Sequence, residues 1–122
     1  MRQILKAHLR DCSDAERFCH AIRCAECHRV WESTPIRFSK AGEELMSEAK
    51  RIIAETLYQR ERTQSLDRAV SEAVHHFNSC PVCDRLVCNY CFVICDDLDL
   101  CRACAGALKE KGESVLDRLS ED

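Results

Sequence analysis

The chain has 122 residues and a formal net charge of −3, and 11 of its residues are cysteines. This length predicts one domain, or one domain with an appended element. With only one Trp, two Tyr and four Phe, the apolar core should be thin, so we expect metal ions to support it. The acidic charge opposes a non-specific grip on nucleic acid, and no apolar run approaches the roughly 20 residues that a membrane helix needs.

Cysteine usage indicates the compartment. Residues 1–18 contain no apolar segment typical of a signal peptide, so we expect a cytoplasmic protein whose thiols stay reduced. The cysteine count is odd, and eight cysteines fall in four Cys-x-x-Cys pairs. Both features favour metal binding over disulfides.

The first third of the chain predicts a short helix and then a hairpin. Ile4, Leu5, His8 and Leu9 would share one face of a helix within residues 1–18. Residues 19–38 predict a β-hairpin that carries a zinc knuckle at Cys24 and Cys27, with a turn at Ser33-Thr34-Pro35. The strand-like residues there are Ile22, Val30, Trp31, Ile36 and Phe38. Cys12 and Cys19 have no close cysteine partner and are expected to be structural.

Residues 40–78 predict a helical insertion. A seam with alternating four- and three-residue spacing runs through positions 45, 49, 52, 56, 59, 63, 66, 70, 73 and 77. Polar residues fill its middle, at Thr56, Gln59 and Thr63. This pattern favours two helices, or a kinked one, broken near residues 60–65 with Ser65 as a possible N-cap. The alternative is one helix of roughly 36 residues. We expect the seam to face the core, and secondarily a second copy of the chain.

Residues 79–111 hold the densest group of cysteines. Leu86-Val87 and Phe92-Val93-Ile94 predict short strands on either side of the pair Cys88 and Cys91. A helix is expected from Arg102 to Lys111, ended by Gly112, and residues 112–122 would form a tail. An acidic turn is predicted between these elements, at Asp96, Asp97 and Asp99. The odd thiol Cys95 is expected to be a buried structural cysteine.

The central prediction is two four-cysteine zinc sites with two Zn²⁺ ions. Eight thiolates in four knuckles are two complete tetrahedral ligand sets. The predicted ligands are Cys24, Cys27, Cys80, Cys83, Cys88, Cys91, Cys101 and Cys104. Eight thiolates and two zinc ions together add about −4 to the formal charge. Ligand identity alone does not separate zinc from an iron–sulfur cluster.

Two pairings of the four knuckles are open. In a cross-brace, the first and third pairs share one ion and the second and fourth share the other. In a sequential arrangement, the first two pairs share one ion and the last two share the other. Both pairings close the helical insertion into a loop, so metal binding is expected to contribute to folding, on the order of 10 kcal/mol per site.

The cysteine-rich stretch also resembles a known class of domain. His75-His76, Cys80-x2-Cys83-x4-Cys88-x2-Cys91 and Cys101-x2-Cys104-x3-Leu108 are similar to the second half of FYVE-type domains, which, like RING domains, are treble clefs. The resemblance covers about a third of the chain and implies cross-brace pairing. The basic run of FYVE domains is absent beside His75 and His76, and the ligands would all be Cys. Lipid binding is therefore not carried over, and ligase activity rests on analogy alone.

These observations predict a small α+β zinc-binding domain with a treble-clef or zinc-ribbon core. We expect a non-catalytic adaptor or regulator that binds a protein partner, with candidate contacts around Leu57 and Tyr58 and in the loop of residues 92–100. Homo-oligomers could form through the helical insertion. The alternatives are a zinc-ribbon nucleic-acid binder, or a RING-like ligase scaffold or thiol redox protein. The nucleic-acid binder would use a basic face near Trp31, made by Arg23, Arg29, Arg37 and Lys40.

Overall fold

The computed structural model describes residues 1–94 and 98–110, and it confirms a small α+β architecture with three helices and small sheets. The helices are α1 (Arg2–His8), α2 (Glu48–Ala73) and α3 (Arg102–Glu110). The strands are β1 (Arg10–Asp11), β2 (Arg17–Phe18), β3 (His20–Arg23), β4 (Val30–Glu32), β5 (Ile36–Arg37), β6 (Phe77–Ser79), β7 (Leu86–Cys88), β8 (Phe92–Val93) and β9 (Leu100–Cys101). Within the described ranges, no helix combines the length and the apolar character of a membrane span.

The chain divides into two compact units. The helical unit comprises residues 2–22 and 31–75. The cysteine unit comprises residues 23–30 and the described residues from 76 onward, together with Met1. The prediction of one domain over residues 1–122 stays a prediction.

The helical unit is built on α2. This helix begins after Ser47, whose side chain accepts a hydrogen bond from the Lys50 N–H, as an N-cap should. It then runs for 26 residues as one helix, so the expectation of two helices was wrong. Ser65 lies inside the helix, where its hydroxyl donates to the Arg62 carbonyl instead of capping a new helix. Residues 40–47 and 74–78 are outside the helix, which is therefore shorter than the long-helix alternative.

The buried face of α2 differs from the predicted seam. Its buried residues are Ala54, Ser65, Ala69, Val70 and Ala73, most of them small. In the first turns of the helix, beside Ala54, Ile52 and Ile53 are 58% and 57% exposed. Small side chains let other elements approach the helix closely, whereas the larger residues of its first turns stay in solvent. The expectation that the whole seam faces the core was wrong for these turns.

An aromatic cluster anchors the middle of α2 within the helical unit. The Tyr58 ring lies 5.0 Å from Phe18 and 5.2 Å from Phe38, and Phe18 and Phe38 are 5.9 Å apart. The Tyr58 hydroxyl donates to the Asp14 carbonyl at 2.9 Å. Tyr58 therefore stabilises the core, and the expectation of a contact surface around Leu57 and Tyr58 stays a prediction.

Short strands and α1 complete this unit. Strand β3 lies between β1 and β4 in a three-stranded sheet, and β2 pairs with β5. The pairing of β1 with β3 and that of β2 with β5 are both antiparallel. The predicted N-terminal helix is confirmed as α1, whose Leu5 is fully buried, and Arg2 donates from this helix to Ser71 on α2.

The cysteine unit contains two antiparallel strand pairs and α3. Strand β6 pairs with β7, placing Phe77 opposite Cys88, and β8 pairs with β9, placing Phe92 opposite Cys101. The two strands predicted around Cys88 and Cys91 are confirmed. The predictions for Cys95, Asp96, Asp97, Gly112 and the tail lie outside the described residues.

Candidate metal centre

The first cluster joins two distant parts of the cysteine unit. It consists of Cys24, Cys27, Cys88 and Cys91. Cys24 and Cys27 lie in the turn between β3 and β4, while Cys88 ends β7 and Cys91 ends the 3-10 helix of residues 89–91. Sixty residues of sequence separate Cys27 from Cys88, so an ion here would close the intervening chain into a loop.

The second cluster consists of Cys80, Cys83, Cys101 and Cys104. Cys80 and Cys83 lie in the turn between β6 and β7. Cys101 ends β9 and Cys104 lies in the first turn of α3, where the Cys104 N–H points at the Cys101 sulfur at 3.5 Å. The N-terminal end of a helix favours negative charge, so this position suits a thiolate.

Sulfur separations in both clusters fit a tetrahedral zinc ion. For Zn–S bonds of about 2.3 Å, tetrahedral geometry places sulfur atoms about 3.8 Å apart. Cys27 and Cys88 are 3.8 Å apart, Cys88 and Cys91 3.7 Å, and Cys83 and Cys101 3.7 Å. Within each cluster all four sulfurs lie within 4.8 Å of one another. The two groups of four cysteines are therefore geometrically compatible with two structural zinc ions.

The grouping follows the cross-brace pairing. The first Cys-x-x-Cys pair shares a cluster with the third, and the second pair shares a cluster with the fourth. Strand β7 explains this arrangement, because it begins beside the second cluster and ends at Cys88 in the first. The sequential alternative does not match the structure.

The turn at Cys24 and Cys27, the first knuckle, and the turn at Cys80 and Cys83, the second knuckle, have the same backbone geometry. In each, the residue after the second cysteine has a positive φ, 63° at His28 and 62° at Asp84. Their N–H groups donate to the carbonyls of Cys24 and Cys80, at 3.0 and 2.8 Å. This left-handed residue turns the chain back, so that the two thiols of a knuckle point to one side.

Backbone N–H groups also point at the sulfurs. The Cys88 N–H donates to Cys24 at 3.2 Å, and the Cys101 N–H donates to Cys80 at 3.4 Å. In both clusters, therefore, the first cysteine of one pair donates to the first cysteine of the other. Such donors stabilise thiolates and orient them toward a bound ion.

Hydrogen bonds and burial give the thiols of each cluster different pKa values. Burial raises the pKa of Cys24, but the N–H groups of Cys27, Cys88 and Glu26 outweigh it and bring the pKa to about 6. Hydrogen bonds from Arg85 lower the pKa of Cys83 to about 6. Burial raises the pKa of Cys91 and of Cys104, and neighbouring thiols add to the effect. The pKa of Cys80 is lowered as well. Each cluster thus offers at least one readily ionised thiol, and an ion must displace protons from the thiols whose pKa is raised.

Arg85 extends the second cluster beyond its ligands. Its Nε lies 3.5 Å from the Cys83 sulfur and its Nη2 lies 3.6 Å from the Cys101 sulfur. A guanidinium that donates to two thiolates offsets part of the −2 charge of a zinc ion bound by four thiolates. The same contacts raise the pKa of Arg85 above its ordinary value, so its charge is permanent.

The sequence predicted the eight cysteines that cluster in the structure but missed the residues that support them. Arg85 and Glu26 were not singled out, although both knuckles read Cys-x-x-Cys-x-Arg. This repeated pattern could have pointed to Arg85 as a residue beside the thiols. The same pattern would be misleading for Arg29, which occupies the matching position of the first knuckle. Arg29 lies over the Tyr90 ring, 5.8 Å from its centroid.

Two of the described cysteines, Cys12 and Cys19, have other surroundings. Neither Cys12 nor Cys19 belongs to a cluster, and their backbones are joined by a hydrogen bond from the Cys12 N–H to the Cys19 carbonyl. Among the residues the structure describes, no third group of metal-ligating side chains comes together.

No protein-family model matches this chain, and neither curated proteins nor solved structures include a significant match to it.

Proposed function

We propose that the protein is a non-catalytic, zinc-stapled module that binds another protein. The observation that carries this proposal is the pair of four-cysteine clusters. A structural zinc site has four protein ligands, whereas a catalytic site keeps a position for water or substrate. Four mutually close thiols in each cluster favour the structural kind.

We also propose that the second site is a treble clef. The turn between β6 and β7 supplies two thiols, and the end of β9 with the first turn of α3 supplies the other two. A cytoplasmic location also fits, since reduced thiols are needed to bind zinc.

The surface that we assign to the partner lies at the start of α2. Met46 is 80% exposed, Leu45 39%, and Ile52 and Ile53 more than half. An apolar group of this kind is a frequent mark of a protein-binding surface. Beside it lies a groove of about 430 Å³, whose lining includes Leu45, Ile53 and Ala54.

The charges around this groove favour a protein partner over a nucleic acid. Lys40 and Lys50 alternate there with Glu43 and Glu44, so neither sign dominates. A phosphate backbone is bound by concentrated positive charge, which this rim lacks. A mixed polar rim around apolar residues is typical of protein interfaces.

The test is affinity capture with matched variants of the zinc-loaded full chain. Ile52→Glu/Ile53→Glu places two charges on the assigned surface. Gln59→Glu/Gln64→Glu places the same two charges elsewhere on α2, at exposed positions. We expect one set of proteins to be retained by the wild type and the glutamine variant and to be lost by the isoleucine variant.

Two results would contradict the proposal. One is a captured set that is the same for the isoleucine variant and the wild type. The other is salt-sensitive binding of DNA or RNA by the wild type, with no retained protein. Sedimentation velocity of the purified chain shows whether the partner is a second copy, because the isoleucine variant would then be monomeric.

A further inference from the structure

The two clusters are linked by side chains that are not ligands. Arg85, which donates to two sulfurs of the second cluster, also donates through Nη1 to the carbonyl of Ala25 at 3.3 Å. Ala25 lies between Cys24 and Cys27, inside the first knuckle. One guanidinium therefore contacts the thiols of one cluster and the backbone of the other.

Glu26 makes the reciprocal link. It also lies inside the first knuckle, and its Oε1 accepts a hydrogen bond from the Ala103 N–H at 2.6 Å. Ala103 lies in the first turn of α3, between Cys101 and Cys104. The carboxylate thus caps the helix that carries a ligand of the second cluster, and it lies 3.9 Å from Arg85 Nη2.

Burial and backbone pairing hold these links in place. The Glu26 side chain is 19% exposed, and that of Arg85 is 38% exposed. The Ala25 N–H donates to the Leu86 carbonyl at 3.0 Å, which joins the first knuckle to β7, the strand that follows the second knuckle. The first knuckle therefore makes three contacts near the second cluster: with Leu86, with Arg85 and with the start of α3. When the first knuckle is held in one conformation, these three contacts are held as well.

We propose that Glu26 and Arg85 couple the two zinc sites, so that an ion in one cluster raises the zinc affinity of the other. An ion in the first cluster holds the turn of residues 24–27 in shape. Glu26 and Arg85 then hold the start of α3 and the second knuckle in their binding geometry. Less conformational entropy is lost when the second ion binds, because its site is already ordered. The second ion therefore binds more tightly, which is positive cooperativity.

Electrostatics alone would produce the opposite sign. Each zinc ion with its four thiolates carries a charge of about −2, and like charges repel. Arg85 is positive and contacts both knuckles, so it opposes that repulsion. Couplings between binding sites are typically 5- to 150-fold in affinity, and we expect about tenfold here. The inference rests on the zinc sites of the proposed function.

The experiment follows stepwise zinc removal from the full chain by a chelator, with native mass spectrometry. At half loading, independent sites of equal affinity give about half of the molecules with one zinc, whereas tenfold coupling reduces that share to about a quarter. We expect about a quarter for the wild type. Glu26→Gln/Arg85→Leu should hold two zinc ions at saturation and show half or more at half loading.

Matched controls remove one carboxylate and one guanidinium outside these links. Glu16→Gln/Arg60→Leu changes charge by the same amount at two exposed positions of the helical unit and should behave as the wild type. A Glu26→Gln/Arg85→Leu protein whose one-zinc share matches that of the wild type would overturn the coupling.

A second measurement does not depend on how that double variant folds. Cys24→Ser/Cys27→Ser leaves the second cluster intact, and its zinc affinity should be about tenfold below that of the same site in the wild type. Equal affinity would refute the coupling while leaving the proposed function in place. A wild-type chain that does not bind two zinc ions would refute the proposed function itself.

Discussion

At the scale of single residues, the knuckles depend on backbone conformations that glycine adopts most easily. His28 and Asp84 both occupy the left-handed region. An L-residue is less stable there than glycine by about 1–2 kcal/mol, although Asp, Asn and His tolerate the region better than most. This geometry was not predictable from residue type, because neither position is a glycine.

Substitution of Asp84 tests the knuckle geometry. We expect Asp84→Gly to raise the free energy of unfolding by about 0.5–1 kcal/mol, since the turn then loses its strain. Asp84→Val should lower it by about 2 kcal/mol, because a β-branched side chain opposes positive φ. Denaturant unfolding of the zinc-loaded protein measures both changes.

Asp84→Asn serves as the control for that pair, since Asn also tolerates the left-handed region. It should lie within about 0.5 kcal/mol of the wild type. The assigned geometry is incorrect if the valine variant is as stable as the glycine variant.

At the scale of elements, α2 shows what periodicity captures and what it misses. The helix itself was predictable, because the stretch between Glu43 and Asn78 contains neither Gly nor Pro and has helical spacing. Its buried face was predictable only in part. Val70 and Ala73 of the predicted seam are buried. Ala54 and Ser65, however, carry little hydrophobic signal, and the strongly apolar Ile52 and Ile53 face solvent. Large apolar residues dominate a sequence pattern, but close packing selects small ones.

The aromatic cluster on α2 can be measured through Tyr58. Tyr58→Phe removes the hydrogen bond to Asp14 and should destabilise the protein by about 1 kcal/mol. Tyr58→Ala also removes the ring contacts with Phe18 and Phe38 and should cost about 3 kcal/mol. Both values are read from denaturant unfolding with zinc saturated.

Tyr90 is the matched control, because it is 75% exposed. Tyr90→Ala should cost about 1 kcal/mol or less, mainly through the lost contact with Arg29. If Tyr58→Ala were no more destabilising than Tyr90→Ala, the aromatic cluster would not be part of the core.

At the scale of the whole molecule, the eight clustered cysteines were predictable from the sequence but their pairing was not. Cys-x-x-Cys spacing identifies thiols that share an ion within a knuckle, because the turn is local. The choice between cross-brace and sequential pairing depends on the register of β6 with β7 and on the path of the chain from Cys91 to Cys101. Neither is encoded in local spacing, and only the resemblance favoured the pairing that the structure has.

Zinc removal should act unevenly along the chain. We expect a chelator to increase amide hydrogen exchange in β6 and β7 more than in α2. These strands have three residues each and are flanked by candidate ligands, whereas α2 has 26 residues and its own buried face. Hydrogen exchange with mass spectrometry measures this, and added zinc should restore protection. Equal loss in α2 and in the two strands would contradict the expectation.

The central claim is that eight thiols hold two structural zinc ions. Native mass spectrometry of the reduced full chain, with an absorption spectrum, tests it most directly. We expect a colourless protein whose mass corresponds to the chain with two bound zinc ions. A chain with one zinc or none, or a brown chain that carries iron and sulfide, would contradict the account.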